Sequence, residues 1–305
     1  MRLAVAATPT VAIPTLEVLS SSAHEIAFIV SRTDKPSGRG KVLKESEVAQ
    51  WARQKNLLVY KPQVIGELIE PLTDVDLLLT IAFGTILPLQ VLSAPKYGSI
   101  NMHFSLLPKW RGAAPVQRAI EAGDEVGGIT IFALDQGMDT GPIFVKEPYP
   151  IPSANSSGEV LGELSRLGAD LVLQTLDLIS SGIQPIPQEE IGVSHAPKVT
   201  RAEAEIRWGE NAQTILRGIR AFTPDPGSWT YWRREPLRIT KGEIVESPLS
   251  LDVGEICLVD SQVLVGCGFN TAIRLIDVRP AGKKSMSATA WSNGARIVAG
   301  EFFGQ

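Results

Sequence analysis

From Arg2 to Phe83 the chain alternates apolar runs of strand length with segments whose apolar residues recur at helical spacing. The runs are RLAVAA (2–7), EIAFIVS (25–31), LLVY (57–60) and DLLLTIAF (76–83), and the helical segments fall near 14–22 and 46–55. This alternation predicts an α/β domain built on a mostly parallel sheet, whose strands are apolar on both sides because crossover helices cover both faces. SINMHF (99–104) and GGITIFAL (127–134) continue the series. PIFVKEPYPI reads as an edge strand with its prolines confined to the ends. From Ser156 to Ser180 the spacing of Val160, Leu161, Leu164, Leu167, Leu171, Leu173, Leu176 and Leu178 suits one long amphipathic helix that closes the domain.

Beyond Gly182 the pattern changes. GIQPIPQEEIGVSHAPKVTRAEAE is rich in proline and polar residues and follows neither period, as expected of a linker over the surface. After it, SWTYW, PLRITK, EICLV, QVLVGCG and AIRLIDV are short runs separated by Gly, Pro and Asn, which predict a small β-barrel or sandwich with one helix at NAQTILRGIRAF. The expected domains are 1–183 and 205–305, joined by 184–204.

Composition narrows the function. In 305 residues, 44% hydrophobic, there is enough apolar material for two cores. No apolar stretch reaches the roughly 20 residues of a membrane-spanning helix, and the first residues read as strand and turn, not as a signal peptide. Cys257 and Cys267 are the only cysteines; they form neither a disulfide framework nor a metal quartet, and a reducing cytoplasm suits them. A net charge of −4 disfavours indiscriminate coating of nucleic acid but leaves room for a local basic surface.

The chemistry concentrates in NMHFSLLPKWRGAAPVQ (101–117). On a strand ending near Phe104, Asn101 and His103 share one face at the carboxyl end, where open α/β sheets bind ligands. A buried Asn and His satisfied by loop backbone would fit the same pattern. No GxSxG elbow accompanies His103, and His24 and His195 are too dispersed for a zinc site. In LDQGMDTGPI (134–143) a tight turn presents a carboxylate. Asp135 reads as a turn residue, and Asp139, beside TGP, is the stronger candidate for chemistry.

SLLPKWRGAAPVQRAI with its upstream Asn-x-His pair, together with MDTGPI, resembles the folate-dependent formyltransferases. VAATPTVAIPTLEVL, SRTDKPSGRGK, HAPKVTRAEAEIRW, RAFTPDPGSWTYW and RPAGKKSMSA extend the similarity over nearly the whole chain, toward the branch acting on aminoacylated initiator tRNA. One departure is Ala7, where the family usually has Gly. The resemblance implies a Rossmann-like catalytic domain and an OB-like C-terminal domain. It also implies transfer of a formyl group from 10-formyltetrahydrofolate to the α-amino group of methionyl initiator tRNA, without a metal. Asn101, His103 and Asp139 would be catalytic. Folate would bind Ser105, Leu106, Leu107 and Pro108, with Ile86 and Leu87, which fit ordinary core equally well. A monomer is expected.

The tRNA requires a basic surface. Ser31–Lys44 holds Arg32, Lys35, Arg39, Lys41 and Lys44 against Asp34 alone, with Gly38 and Gly40 to let it adapt. A solvated charge run has the same composition; the resemblance implies a tRNA grip, with Arg39 foremost. Val42 follows the Lys of GRGK, so the block is no P-loop. In the second domain Arg201, Arg207, Arg217, Arg220, Arg233, Arg234, Arg238 and Lys241 are interleaved with Trp208, Trp229, Tyr231 and Trp232, aromatics that suit barrel core and stacking platforms alike.

Overall fold

The computed structural model describes residues 1–37, 42–245, 250–298 and 300–304, with the backbone alone at 35, 37 and 42. The chain divides into two compact units, the first being 1–115, 126–150 and 161–197, the second 116–125, 151–160 and 198–305.

In chain order the first part of the sequence forms β1 (Arg2–Ala7), α1 (Ile13–Ser20), β2 (Glu25–Val30), β3 (Lys35–Ser37), β4 (Val42–Lys44), α2 (Glu47–Gln54), β5 (Leu58–Tyr60), α3 (Ile69–Leu72), β6 (Leu77–Ile81), α4 (Leu89–Leu92), β7 (Ser99–His103), β8 (Arg111–Gly112), α5 (Pro115–Ala122), β9 (Val126–Ala133), β10 (Ile143–Pro150), α6 (Ser157–Ser180) and β11 (His195–Ala196). The main sheet has the order β10-β9-β7-β6-β1-β2-β5. Its central strands are buried on both faces, with Leu3, Val5, Leu79 and Ile100 on one face and Ala4, Ala6 and Leu78 on the other all at 1% exposure or less, so the apolar runs reflect burial from two sides. The chain leaves β1 first to β2 and then crosses to β6, which makes the gap between β1 and β6 the switch point.

The expected parallel series stops at β7. β9 pairs antiparallel with β7, and β10 antiparallel with β9. An apolar run carries no direction, so periodicity could not distinguish the two cases. Reversal matters for the site: Leu134, leaving β9, donates its N–H to Ser99 O at the start of β7, and the next loop must climb back along β7. Ser156 and Glu159 form a reciprocal cap before α6, Ser156 N donating to Glu159 Oε2 at 2.7 Å. The stretch expected to be a linker is divided: Ile186 bridges Ile143 and His195–Ala196 pairs with Arg111–Gly112 in the first unit, while 198–204 belongs to the second.

The second unit is a nearly closed antiparallel barrel of β12 (Trp229–Trp232), β13 (Glu235–Val245), β14 (Glu255–Val259), β15 (Gln262–Cys267), β16 (Thr271–Pro280), β17 (Met286–Ser287) and β18 (Glu301–Phe302). α7 (Ala212–Phe222) is capped by Asn211, whose side chain accepts from Thr214 N, and α8 (Ala288–Ala295) is a helix the short-strand pattern did not reveal. Trp208 stacks on Phe303, which stacks on Trp291. Trp229 is buried and Trp232 packs against the same core. Three of the four interleaved aromatics are therefore core, and Tyr231 alone of them is exposed. Cys257 and Cys267 are free thiols, and burial pushes Cys267 up to about 12. No helix among the described residues is long and apolar enough to cross a membrane.

Thr200 and Glu203 cap one another in this unit, Thr200 N donating to Glu203 Oε2 and Glu203 N to Thr200 Oγ1, while Arg118 reaches Glu203 Oε1 at 2.9 Å. The Thr200 amide and then the Arg118 guanidinium hold the Glu203 carboxyl at about 2, against an ordinary 4.5. The unfolded chain therefore binds this proton more tightly, so the stabilisation is present above pH 4.5 and is lost as pH falls toward 2. Glu203→Gln is expected to lower Tm at pH 7 and to converge on the parent near pH 2. Thermal melts with the same gap at both pH values would contradict this.

Candidate active site

Asn101 and His103 leave the same face of β7, opposite the buried Ile100 and Met102. Parallel register sets Thr80 of β6 beside Asn101, and Thr80 Oγ1 donates to Asn101 Oδ1 at 2.7 Å. With its carbonyl oxygen engaged, Asn101 offers the cleft its NH2 group. His103 is 6% exposed, and its Nε2 lies 2.9 Å from Trp110 O. A carbonyl only accepts, so Nε2 carries the hydrogen and Nδ1 of the neutral ring is the acceptor. Nδ1 faces Asp139 Oδ2 at 3.8 Å, a separation one water can bridge.

Asp139 is held in the left-handed region, φ 55°, and its Oδ2 accepts from Gly112 N at 2.7 Å. Gly112 has to be glycine: its φ is +127°, and a Cβ would lie 2.6 Å from Ala196 O across the β8–β11 pair. Asp135 is occupied differently, accepting from Gly137 N and from Thr140 Oγ1 within its own turn. The two carboxylates of the loop are thus distinguished by geometry, Asp135 shaping the turn and Asp139 facing the imidazole.

These groups line one cleft of about 400 Å³. Its walls come from residues 82–87 after β6, from Phe104, Gly112, Ala113 and Pro115 after β7, and from 134–139 after β9, with Thr80, Asn101 and His103 behind them. Leu87 is buried and Ile86 exposed, and both line the cleft. Ser105, Leu106, Leu107 and Pro108 are not among its lining residues. Thr130 Oγ1 donates to Ser105 O and accepts from Leu107 N, Ser105 Oγ donates to Lys109 O, and Leu107 is wholly buried. This segment is internal support beside the cleft.

Of the basic stretch, Arg39 and Lys41 lie outside the described residues, as does the Lys35 side chain. Arg32 is exposed, its Nη1 3.5 Å from the position a Cβ would take on Gly84 at the cleft wall. Lys44 pairs with Glu47. Lys61, which sequence reading passed over, bonds both Asp34 and Glu45 at 2.7 Å. Burial opposes the charge on Lys61 and the two carboxylates outweigh it, so its pKa is raised. In the second unit Arg220 is spent on the carbonyls of Asn155 and Pro152, and Arg233 on Glu301. Also missed were Thr80, the Trp110 carbonyl, Ser194, whose hydroxyl accepts from Trp110 N, and Gln188, which bonds the Asp139 loop. The role of Thr80 comes from the pairing of β6 with β7, and those of the others from loop closure; neither leaves a periodic signal.

A sheet with an amide, an imidazole and a carboxylate converging on an apolar cleft defines a polar group-transfer site, and family models agree. The formyl transferase model matches residues 1–176, and the model of the formyl transferase C-terminal domain matches 198–296. The chain is 40% identical over 306 residues to the methionyl-tRNA formyltransferase of Salinispora tropica, covering 99% of each protein. It is 42% identical over 307 residues to that of Rhodococcus erythropolis, covering 97% of this chain and 98% of the relative. The chain belongs to the formyl transferase family, in its methionyl-tRNA formyltransferase branch. Similar folds include HypX from Aquifex aeolicus in complex with tetrahydrofolic acid, with a TM-score of 0.69 at 17% identity, covering 95% of this chain and 46% of that one. Another is the methionyl-tRNA formyltransferase from Clostridium thermocellum, with a TM-score of 0.59 at 18% identity, covering 81% of this chain and 95% of that one.

Proposed function

We propose that this protein transfers the formyl group of 10-formyltetrahydrofolate to the α-amino group of methionine esterified to initiator tRNA. The observation that carries it is the convergence of Asn101, His103 and Asp139 on one apolar cleft, in a chain matching formyl transferase models in both halves. In the reaction the amine nitrogen bonds to the formyl carbon, the carbonyl oxygen becomes an oxyanion, and the amine loses a proton. Cleavage of the bond from carbon to the folate nitrogen then requires a proton on that nitrogen.

The Asn101 NH2 donates to the oxyanion. His103 Nδ1 takes the amine proton and returns one toward the departing nitrogen, and Asp139 steadies the imidazolium and relays the proton through a solvent water. A flat pterin with polar edges suits a cleft of about 400 Å³ walled by Ile86 and Leu87. Ser105, Leu106, Leu107 and Pro108 then serve the folate by supporting that wall. Residues 1–183 carry the chemistry, 205–305 hold tRNA, and 184–204 join them; the enzyme acts in the cytoplasm as a monomer.

Incubation with 10-formyltetrahydrofolate and charged initiator tRNA, charged elongator tRNA or small amines tests the proposal. Formyl transfer to methionine on initiator tRNA is the expected product. Transfer confined to a small amine, such as an amino sugar nucleotide, would overturn the choice of acceptor and keep the chemistry.

Arg32, Lys35, Arg39 and Lys41 supply the phosphate grip in this proposal. Arg39→Ala is expected to lower kcat/KM for charged tRNA, to leave KM for the folate nearly unchanged, and to flatten the salt slope by about one unit, as loss of one phosphate contact requires. A salt slope equal to the parent's would assign the grip to the C-terminal unit instead.

A further inference from the structure

Gln188 lies in the stretch that reads from sequence as linker, yet its side-chain amide is fully used inside the first unit. Nε2 donates to Asp139 O and to Gly141 O, each at 2.8 Å. Oε1 accepts from Arg111 Nη2 at 2.7 Å and from Arg111 Nε at 3.2 Å. The orientation of the amide follows from its partners, since carbonyls only accept and a guanidinium only donates. Two donors and two lone pairs meet four partners, a set no single carboxylate or cationic side chain can satisfy.

From this geometry we infer that Gln188, held by Arg111, is a positioning residue for Asp139. The clamp grips the backbone on both sides of Thr140. It secures Asp139 in a left-handed conformation that costs a non-glycine residue free energy. Arg111 is followed by Gly112, whose N–H binds Asp139 Oδ2, so one dipeptide fixes the loop through Gln188 and the carboxylate directly. Gly141 leaves no slack, since a Cβ there would collide with Ala133 O. Without the clamp the turn is free to relax, and Asp139 Oδ2 loses its station 3.8 Å from His103 Nδ1. The inference rests on the catalytic assignment of Asp139 made above.

The test compares Gln188→Leu, Gln188→Glu, Asp139→Asn and the double variant Gln188→Leu/Asp139→Asn with the parent, in the full chain with charged initiator tRNA and 10-formyltetrahydrofolate. Displacement of a reacting group by about 1 Å can cost about 10²-fold, so Gln188→Leu is expected to lower kcat by that order while both KM values change less than about threefold. Its pH dependence of kcat is expected to move in the same direction as that of Asp139→Asn. The double variant is expected to be no slower than Asp139→Asn alone, because Gln188 acts through Asp139. Gln188→Glu keeps acceptance from Arg111 and sets a carboxylate against two carbonyls, so it is expected to be no better than Gln188→Leu. It decides the matter if the leucine variant fails to unfold cooperatively. Parent-like kcat in a folded Gln188 variant beside a slow Asp139→Asn, or additive losses in the double variant, would overturn the clamp. Parent-like turnover in Asp139→Asn would instead overturn the assignment of Asp139 itself.

Discussion

Alanine at His103 is expected to slow formyl transfer by about 10²- to 10⁴-fold, the range for loss of a positioned general acid–base. The ring is buried, its Nε2 is committed to Trp110 O, and Nδ1 is aimed at Asp139. It therefore presents one nitrogen for proton transfer in a fixed tautomer. A loss confined to kcat, with KM for charged tRNA and for the folate little changed, is the signature of a group used in the transition state. Removal of the ring also leaves Trp110 O without this donor, so thermal melts must accompany the kinetics. A folded His103→Ala enzyme with turnover near the parent's would remove the imidazole from the mechanism.

Asn101→Ala is expected to reduce kcat by about 10²- to 10³-fold, as for removal of one preorganised oxyanion donor. Thr80 gives this prediction its second arm. Its hydroxyl engages Asn101 Oδ1, so Asn101→Asp should do no better than alanine: an acceptor-only carboxylate would stand where a donor is needed. Equal activity of the Asp and Asn enzymes in single-turnover assays would exclude an oxyanion role. Thr80→Ser, which retains the hydroxyl, should stay near the parent rate.

Burial on both faces wrote the strands β1, β2, β6 and β7 plainly into the apolar runs, and the alternation within SINMHF put Asn101 and His103 on one face without further information. Direction was not legible, because β9 has the same apolar content whichever way it runs. Asp139 could be separated from Asp135 only weakly from MDTGP. In the structure the distinction rests on Gly112 N–H and on the Asp135 turn. Residues 184–197 looked like linker because proline and polar residues dominate them, yet Gln188 and Ser194 bond the loops around the cleft. A residue whose partners lie 49 positions away in sequence leaves no local pattern. Ser105–Pro108 was legible as a block, while its place as support beside the cleft depended on Thr130, on the neighbouring strand β9.

Catalysis by this cleft is tested most directly by the single-turnover rate of Asn101→Ala/His103→Ala/Asp139→Asn with both substrates bound. The expected result is a folded protein that binds 10-formyltetrahydrofolate and charged initiator tRNA with affinities close to the parent's. Its transfer should be slower than that of any single variant, because Asn101 acts on the oxyanion while His103 and Asp139, which act as a unit, move the proton. Transfer by the triple variant at the parent's rate would place the chemistry outside this cleft.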